Sequence, residues 1–245
     1  MAPTGDHPFT ALLLLLAGVI ILALQDSLIK FIADSTSFWQ IQTLRSTGNM
    51  LLIICLALMG GGIRLIYPRR RLAVAMRSLV MVVCMFCFFS GSPFLSVAQM
   101  AAGLYTYPLF VSLLAAPLLG ETVGKWRISA MVIGAAGACI MLNPLAEGFS
   151  AVQILPIMAG FFYACNIIIL RRYCRAETSL ALTLANGVMF FVSGLLGIII
   201  LSFLPLSPEI QHSMPFVAIG WPAIGLSVIG FAALCSVLNL FGNLG

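Results

Sequence analysis

Charged residues are scarce in this chain of 245 residues. Only 8% are Asp, Glu, Lys or Arg, whereas 62% are hydrophobic. Soluble domains carry charge on about a quarter of their residues, so this composition excludes an ordinary soluble protein. The net charge of +5 would suit a nucleic acid, but the distribution of the basic residues matters more than their sum. The composition predicts a membrane protein with the lipid bilayer as solvent and no nucleic-acid partner.

Histidine is nearly absent, and this removes much catalytic and metal-binding chemistry. His7 and His212 are the only two histidines, and both fall outside the apolar runs. Cys84 and Cys87 form a CxxC pair, but no second pair or histidine cluster accompanies it, so we interpret them as small buried residues. No nucleophile with a neighbouring base is visible. The sequence therefore predicts no enzyme, no metal site and no cofactor.

Long apolar runs dominate what is present. Eight of them alternate with polar connectors, and each approaches the roughly 20 residues that cross a bilayer as a helix. We predict an all-α membrane protein with eight transmembrane helices, at residues 9–31, 38–59, 78–94, 98–119, 128–142, 152–170, 180–204 and 217–240.

The basic residues predict the orientation of these helices. Ten of the twelve fall in the connectors after helices two, four and six: Arg64, Arg69, Arg70, Arg71, Arg77, Lys125, Arg127, Arg171, Arg172 and Arg175. By the positive-inside rule these connectors and the N-terminus are cytoplasmic, which predicts a multi-pass protein of the inner membrane. Binding of anionic lipid or RNA by the Arg69 to Arg71 triplet is an alternative that the topology does not require.

Several features follow one another in the stretch 98–144. They are Pro108 in mid-helix, the turn LLGE at 118–121, the helical glycines Gly134 and Gly137, and Asn143 with Pro144. This order resembles the end of the first half of an EamA-type transporter of the drug/metabolite transporter superfamily. The resemblance implies ten helices and a small-molecule substrate bound between two halves. Members with a similar DSLIK pattern and a following Arg include carriers of amino acids, S-adenosylmethionine and riboflavin.

An internal repeat accompanies this resemblance. Sliding the chain on itself by 141 residues aligns Ser37 with Thr178 and Arg45 with Asn186. Five helices separate the copies, and because five is odd the second copy enters the membrane from the opposite side, an arrangement typical of transporters. We predict a first repeat at 1–144 with five helices and an incomplete second repeat at 145–245 with three.

Two further helices of about 20 residues each would complete the second repeat. The function predicted from this arrangement is a secondary transporter that moves a small organic metabolite, such as an amino acid or a related solute, by alternating access. The alternative is a non-transporting membrane protein or an inactive truncated copy. A homodimer also stays open.

Three ionisable residues fall inside apolar runs: Asp26, Lys30 and Arg45. A charge at mid-helix costs about 2.5 to 3.5 kcal/mol on insertion scales, so each should face the bundle interior or a partner. One interpretation is an ion pair that holds helices one and two together. The other is that Asp26 or Arg45 contacts the substrate or a coupling proton. The resemblance implies that Arg45 is important, but it does not distinguish the ion pair from the contact with substrate or proton.

Polar and aromatic residues on three helices predict a shared cavity. We predict substrate contacts from Gln25, Asp26 and Arg45 and from a second group comprising Gln99, Thr106, Tyr107, Phe110, Tyr163 and Asn166. The alternative is close helix packing through small residues, with the polar groups as interhelical contacts. Structural or gating roles are predicted for Lys30, Pro108 and Glu121. Glu121 is expected to pair with Lys125 or Arg127.

Overall fold

The computed structural model describes residues 8–33, 35–60, 62–121, 124–142 and 151–244. Within them, the side chains of 8–15, 19, 22, 26, 127, 151 and 240–244 are not described. The described residues form helices and no strand, which confirms the all-α class. The helices are α1 (Pro8–Ile32), α2 (Phe38–Gly60), α3 (Arg71–Ser90), α4 (Val97–Leu104), α5 (Tyr107–Leu119), α6 (Lys125–Leu142), α7 (Ile154–Tyr173), α8 (Ser179–Phe203), α9 (Pro208–Ser213), α10 (Pro215–Ala218) and α11 (Leu226–Leu244), with short 3-10 turns at Ile63–Ile66 and Ala151–Gln153.

Five stretches of the described chain are long and apolar enough to cross a membrane: Phe38–Gly60, Arg71–Ser90, Val97–Leu119, Ile154–Tyr173 and Ser179–Phe203. Two shorter apolar stretches, Ile128–Leu142 and Leu226–Asn239, lie in α6 and α11. Lipid-exposed backbone must satisfy its own hydrogen bonds, which helices of this length do. A multi-pass helical membrane protein is therefore confirmed, and the count of eight spans stays a prediction.

The connectors meet at two opposite ends of the bundle. At the first, called the basic end, the Glu177 carboxylate accepts hydrogen bonds from the backbone N–H groups of Arg69, at 2.9 Å, and Arg70, at 2.7 Å. At the other, called the aromatic end, the Phe38 ring lies 6.2 Å from the rings of Phe89 and Phe216.

The helices pack as pairs from distant parts of the chain. α2 packs on α8, α3 packs on α7 and α8, and α11 packs on α1 and α2. The segments α4 and α5 pack on the other side of α7, and α6 lies against α4 and α5. The first and second predicted repeats are therefore interleaved rather than placed side by side.

The third helix begins earlier than predicted. The sequence places it at 78–94, whereas α3 begins at Arg71 and ends at Ser90. Arg and Ala are strong helix formers, and the Glu177 carboxylate lies at the helix start, where it offsets the positive end of the helix dipole. Arg77 therefore lies in a helix, and its prediction as a connector residue is wrong.

The fourth predicted helix is interrupted rather than continuous. α4 ends at Leu104 and α5 begins at Tyr107, with Pro108 in the first turn of α5. Proline has no N–H to donate to the carbonyl four residues earlier, and its ring clashes there, so the helix breaks and restarts. Pro108 thus lies at the boundary between α4 and α5.

Two glycines bring α4 and α7 into close contact. A Cβ on Gly103 would lie 2.3 Å from the Cβ of Pro156, and one on Gly160 would lie 2.7 Å from the Oγ1 of Thr106. Neither position has room for a side chain. Small residues at a membrane helix crossing allow the backbones to approach in this way. Close packing is thus the role of these glycines.

Candidate functional site

A cavity of about 250 Å³ lies at mid-depth between the helices. Its polar or small lining residues are Ala23, Gln25, Arg45, Ser46, Asn49, Thr183, Asn186, Gly187 and Asn239, and its aromatic and apolar ones are Met81, Met85, Leu104, Tyr105, Tyr107, Tyr163 and Phe190. At 1.5 Å per residue, Asn49 lies about 16 Å from the start of α2 and Met81 about 15 Å from the start of α3. This set is called the central cavity.

Arg45 provides a positive charge in the central cavity. Its side chain is only 5% exposed. The guanidinium donates a hydrogen bond of 2.6 Å to the Oε1 of Gln42 and lies 5.7 Å from the centre of the Phe190 ring. A cation over an aromatic face is stabilised by the ring quadrupole, more strongly where water is excluded. Gln42 and Phe190 therefore hold the guanidinium at the cavity wall.

Two amide oxygens of the central cavity have no hydrogen-bond partner among the described residues. They are the Oε1 of Gln25 and the Oδ1 of Asn49, on side chains 3% and 5% exposed. A buried polar atom without a partner costs about 1 to 3 kcal/mol, so such atoms usually mark a bound water or ligand. These oxygens can accept hydrogen bonds from N–H or O–H groups of a solute.

Aromatic rings form another part of the cavity wall. The rings of Tyr107 and Tyr163 meet edge to face with their centres 4.8 Å apart, and both line the cavity. Tyr105 and Phe190 add two more rings. Rings combined with amides and one guanidinium suit a solute with a flat apolar face and a polar edge.

Arg77 lies next to the central cavity on its basic-end side. Its guanidinium contacts the Oδ1 of Asn186 at 3.4 Å, and its Nε has no partner in the part of the chain that the structure describes. Asn166 donates a hydrogen bond of 3.2 Å to the Arg77 backbone carbonyl. None of the described carboxylates pairs with Arg77. Even a partly buried cation is costly in a membrane bundle, so the position of Arg77 beside the cavity is a functional signal that the sequence pattern did not reveal.

The central cavity includes four of the predicted substrate residues: Gln25, Arg45, Tyr107 and Tyr163. Four others lie elsewhere. Gln99 and Ser96 form a capping box at the start of α4, with hydrogen bonds of 3.0 and 3.2 Å. The Thr106 hydroxyl donates to the Gly103 carbonyl at 2.7 Å.

The last two of these residues, Phe110 and Asn166, are held by neighbouring helices. The Phe110 ring packs 5.5 Å from the ring of Phe161, and Asn166 binds the backbone of α3. The predicted stripe of Gln99, Thr106 and Phe110 thus serves capping and packing. The pattern S-x-x-Q at 96–99 is the sequence signal that could have identified the cap.

The other predicted residues whose side chains the structure describes, including the charged ones on α1 and in the α5–α6 turn, do not line the central cavity. The Asp26 side chain lies outside the described part of the chain, as do Asn143 and Pro144. The Lys30 ammonium donates to the Leu95 carbonyl, in the turn between α3 and α4. Glu121 lies 3.9 Å from Arg171, which ties the start of the α5–α6 turn to the end of α7.

Sequence reasoning missed most of the polar residues on α8. Thr183 and Asn186 lie on that helix, opposite Ser46 and Asn49 on α2. The 141-residue offset could have found Asn186, though not Thr183, because the cavity contains both members of three offset pairs: Arg45 with Asn186, Ser46 with Gly187, and Asn49 with Phe190.

No group of three metal-binding side chains occurs among the described residues. The fold and the site together define a multi-pass helical membrane protein with a polar, aromatic cavity at mid-depth. Residues 9–143 match the model of the EamA-like transporter family. Because the match covers more than half of the chain, the protein belongs to the EamA-like transporter family, and this membership indicates a membrane transporter.

Two relatives carry a more specific name. The chain is 26% identical over 213 residues to a riboflavin transporter of Rhizobium johnstonii, covering 73% of this chain and 70% of that protein. It is 36% identical over 74 residues to a riboflavin transporter of Vibrio cholerae serotype O1, covering 30% of this chain and 25% of that protein. No solved structure matches the chain significantly.

Proposed function

We propose that this protein is a secondary transporter of the inner membrane that moves a small organic metabolite by alternating access. The observation that carries the proposal is the central cavity. It lies at mid-depth, contains a buried guanidinium and two unsatisfied amide oxygens, and draws its walls from helices of both predicted repeats. Transporters of this architecture bind their substrates between two halves near the membrane midplane.

The packing of the helices supports two inverted repeats, at 1–144 and 145–245. The 141-residue offset relates α1 to α7 and α2 to α8, and by order along the chain α3 corresponds to α11, the third long helix of the second repeat. This correspondence therefore exchanges the pair α3–α7 with the pair α11–α1, and the pair α3–α8 with the pair α11–α2. All four pairs are in contact. This exchange is what a two-fold axis in the membrane plane would produce.

Matching hydrogen bonds at the two ends support alternating access. At the aromatic end, the Ser37 hydroxyl accepts from the Gln40 N–H at 3.1 Å and donates to the Gly220 carbonyl at 2.8 Å. At the basic end, the Thr178 hydroxyl accepts from the Ala181 N–H at 3.2 Å and donates to the Leu65 carbonyl.

Ser37 and Thr178 are related by the 141-residue offset, and each joins the start of its helix to a connector of the opposite repeat. We refer to these as the Ser37 latch and the Thr178 latch. Release of one latch at a time would expose the central cavity to one side at a time. The positive-inside rule makes the basic end cytoplasmic.

Two solute classes are candidates. The amino acid or related solute predicted from the sequence would place its carboxylate on Arg45 and its ammonium on the amide oxygens. The relatives named riboflavin transporter favour a flat heteroaromatic solute, with its ring against Tyr107 and Tyr163 and its polar edge on Gln25 and Asn49.

Uptake by reconstituted vesicles tests this function. Purified protein in proteoliposomes is supplied separately with labelled riboflavin and with a panel of labelled amino acids. We expect saturable uptake of one class, reduced at least about tenfold in Arg45→Gln because a buried charged hydrogen-bond donor is lost. We expect a similar loss in Asp26→Asn if Asp26 binds the solute or the coupling proton.

Arg64→Gln is the matched control, since it removes the same charge from an exposed position. Uptake that is absent for every solute, although the protein inserts and folds, would favour the non-transporting alternative. If uptake is unchanged in both Arg45→Gln and Asp26→Asn, the transporter function holds, and Arg45 and Asp26 have a structural role instead of a role in substrate binding.

A further inference from the structure

We propose that a groove at the basic end is a binding site for an anionic phospholipid. The groove has a volume of about 470 Å³ and lies between the start of α3 and the end of α7. Arg70 and Arg71 form one part of its wall, and the rest is apolar or aromatic: Leu72, Ala73, Met76, Ile169 and Tyr173. This site is separate from the central cavity, and the inference does not depend on which solute is carried.

The two guanidinium groups of the groove have no acidic partner in the described chain. Arg70 and Arg71 are both exposed, and neither forms a salt bridge with a described carboxylate. Glu177 is close, but its two oxygens accept hydrogen bonds from the backbone N–H groups of Arg69 and Arg70 rather than from guanidinium groups. The guanidinium forks are therefore available for a phosphate, whose oxygens they match in geometry.

The apolar part of the groove consists of two short ridges that the first methylenes of an acyl chain could contact. Leu72 and Met76 are four residues apart and so lie on one face of α3, and Ile169 and Tyr173 repeat this spacing on α7. The two ridges run side by side for about 6 Å, one helical turn along the membrane normal. Leu72, Met76 and Tyr173 are exposed, although each is apolar or aromatic, as expected of side chains that contact lipid.

The groove has its charged residues at the helix end and its apolar residues further in, which matches the charged headgroup and the apolar acyl chains of a phospholipid. The arginines lie at the helix end, where a headgroup phosphate would be, and the apolar ridges continue toward the membrane interior. Basic residues at a membrane surface attract anionic lipids, and basic pockets between helices bind their headgroups. A neutral phosphatidylcholine would also fill the apolar part, but its choline would offset the phosphate charge.

Such a lipid would connect the two predicted repeats. Its phosphate would bind α3, which belongs to the first repeat, while its acyl chain would contact α7 of the second. The expected effect is resistance to unfolding that depends on the anionic lipid, because a ligand that binds only the folded state stabilises that state.

The test compares intact protein in vesicles of phosphatidylcholine alone and in vesicles that also contain phosphatidylglycerol. We expect phosphatidylglycerol to raise the midpoint of thermal unfolding by about 3 °C or more. The double variant Arg70→Gln and Arg71→Gln should lose this rise. Arg64→Gln with Arg175→Gln is the matched control, since it removes the same charge at the same end but outside the groove.

A third variant, Ala73→Phe, fills the groove without changing charge and should reduce the effect of phosphatidylglycerol. Soluble glycerophosphoglycerol, which has the headgroup without acyl chains, should leave the unfolding midpoint unchanged. The proposal is overturned if phosphatidylglycerol gives the wild type no advantage, or if the control variant loses as much as the groove variant. It is also overturned if the soluble headgroup stabilises the protein as well as the lipid does, which would indicate a soluble phosphate ligand.

Discussion

At the scale of single residues, the Asn49 amide allows solute binding to be tested separately from protein stability. None of the described side chains of the central cavity donates to its Oδ1, so Asn49→Leu should leave the unfolding temperature unchanged or raise it. The same substitution should reduce uptake of the transported solute about tenfold, because one hydrogen bond to the solute is lost. Thermal unfolding in detergent and uptake by proteoliposomes measure the two effects.

Gln40 offers the matched comparison on the same helix. Its amide donates to the Pro222 carbonyl at 2.9 Å, and its Oε1 accepts from the Thr36 hydroxyl at 2.7 Å. Gln40→Leu should therefore destabilise the fold by about 1 to 3 kcal/mol. If Asn49→Leu destabilises the protein equally, the Asn49 amide is structural and the cavity assignment is wrong.

The residues of the cavity were partly predictable from the sequence. Arg45 could be predicted because a charge inside an apolar helix must face the bundle interior. Tyr163 could be predicted because small and polar residues accompany it on one side of its helix. Gln99 has the same polar character, yet it caps α4, since it lies three residues after Ser96. Thr183 and Phe190 were not predicted, because their role depends on which face of α8 meets α2.

At the scale of helices, the crossing of α4 and α7 depends on Gly103. A Cβ at this position would lie 2.3 Å from the Pro156 Cβ, so Gly103→Ala should force the helices apart and destabilise the protein by about 1 to 3 kcal/mol. Thermal or denaturant unfolding in detergent measures this loss.

Gly137 provides the control on α6. A Cβ there would meet nothing within 4 Å, so Gly137→Ala should be neutral or stabilising by about 0.4 to 1 kcal/mol. Equal losses in the two variants would mean that the close approach of α4 and α7 does not contribute to stability.

The helix boundaries show where local sequence signals are sufficient to predict the start of a helix. Ser37 and Thr178 mark the starts of α2 and α8 within two residues of the predictions at 38 and 180, because a hydroxyl followed by an apolar run is a strong N-cap signal. The start of α3 was missed by seven residues, because the backbone just before it is held by the Glu177 carboxylate. That residue is more than a hundred positions away in the chain, and no local pattern indicates the contact.

At the scale of the whole molecule, the two latches should act in opposite directions. Cys174 can report on the Thr178 latch, since its thiol is 1% exposed and the Glu177 N–H donates to its carbonyl. Burial raises the pKa of the Cys174 thiol more than the nearby Arg77 guanidinium lowers it. At neutral pH the thiol is therefore protonated, enclosed and slow to react with maleimide.

Thr178→Ala should open the basic end and raise the rate of Cys174 labelling about fivefold, because exposure returns the pKa toward its usual range and admits the reagent. Ser37→Ala removes the corresponding hydroxyl at the other end, so it should leave labelling unchanged or slow it. The measurement uses a background in which the other cysteines are replaced. Faster labelling in both variants would indicate general loosening rather than alternating access.

The basic end and the aromatic end differ in chemistry, so they should respond differently to salt and to temperature. Contacts at the basic end include the partly exposed ion pair of Arg171 and Glu121, and added salt screens such pairs. The rings of Phe38, Phe89 and Phe216 at the other end bury apolar surface, which salt does not screen and cooling weakens. Ionic strength should therefore speed exchange of solute on one side of the membrane, while temperature governs exchange on the other.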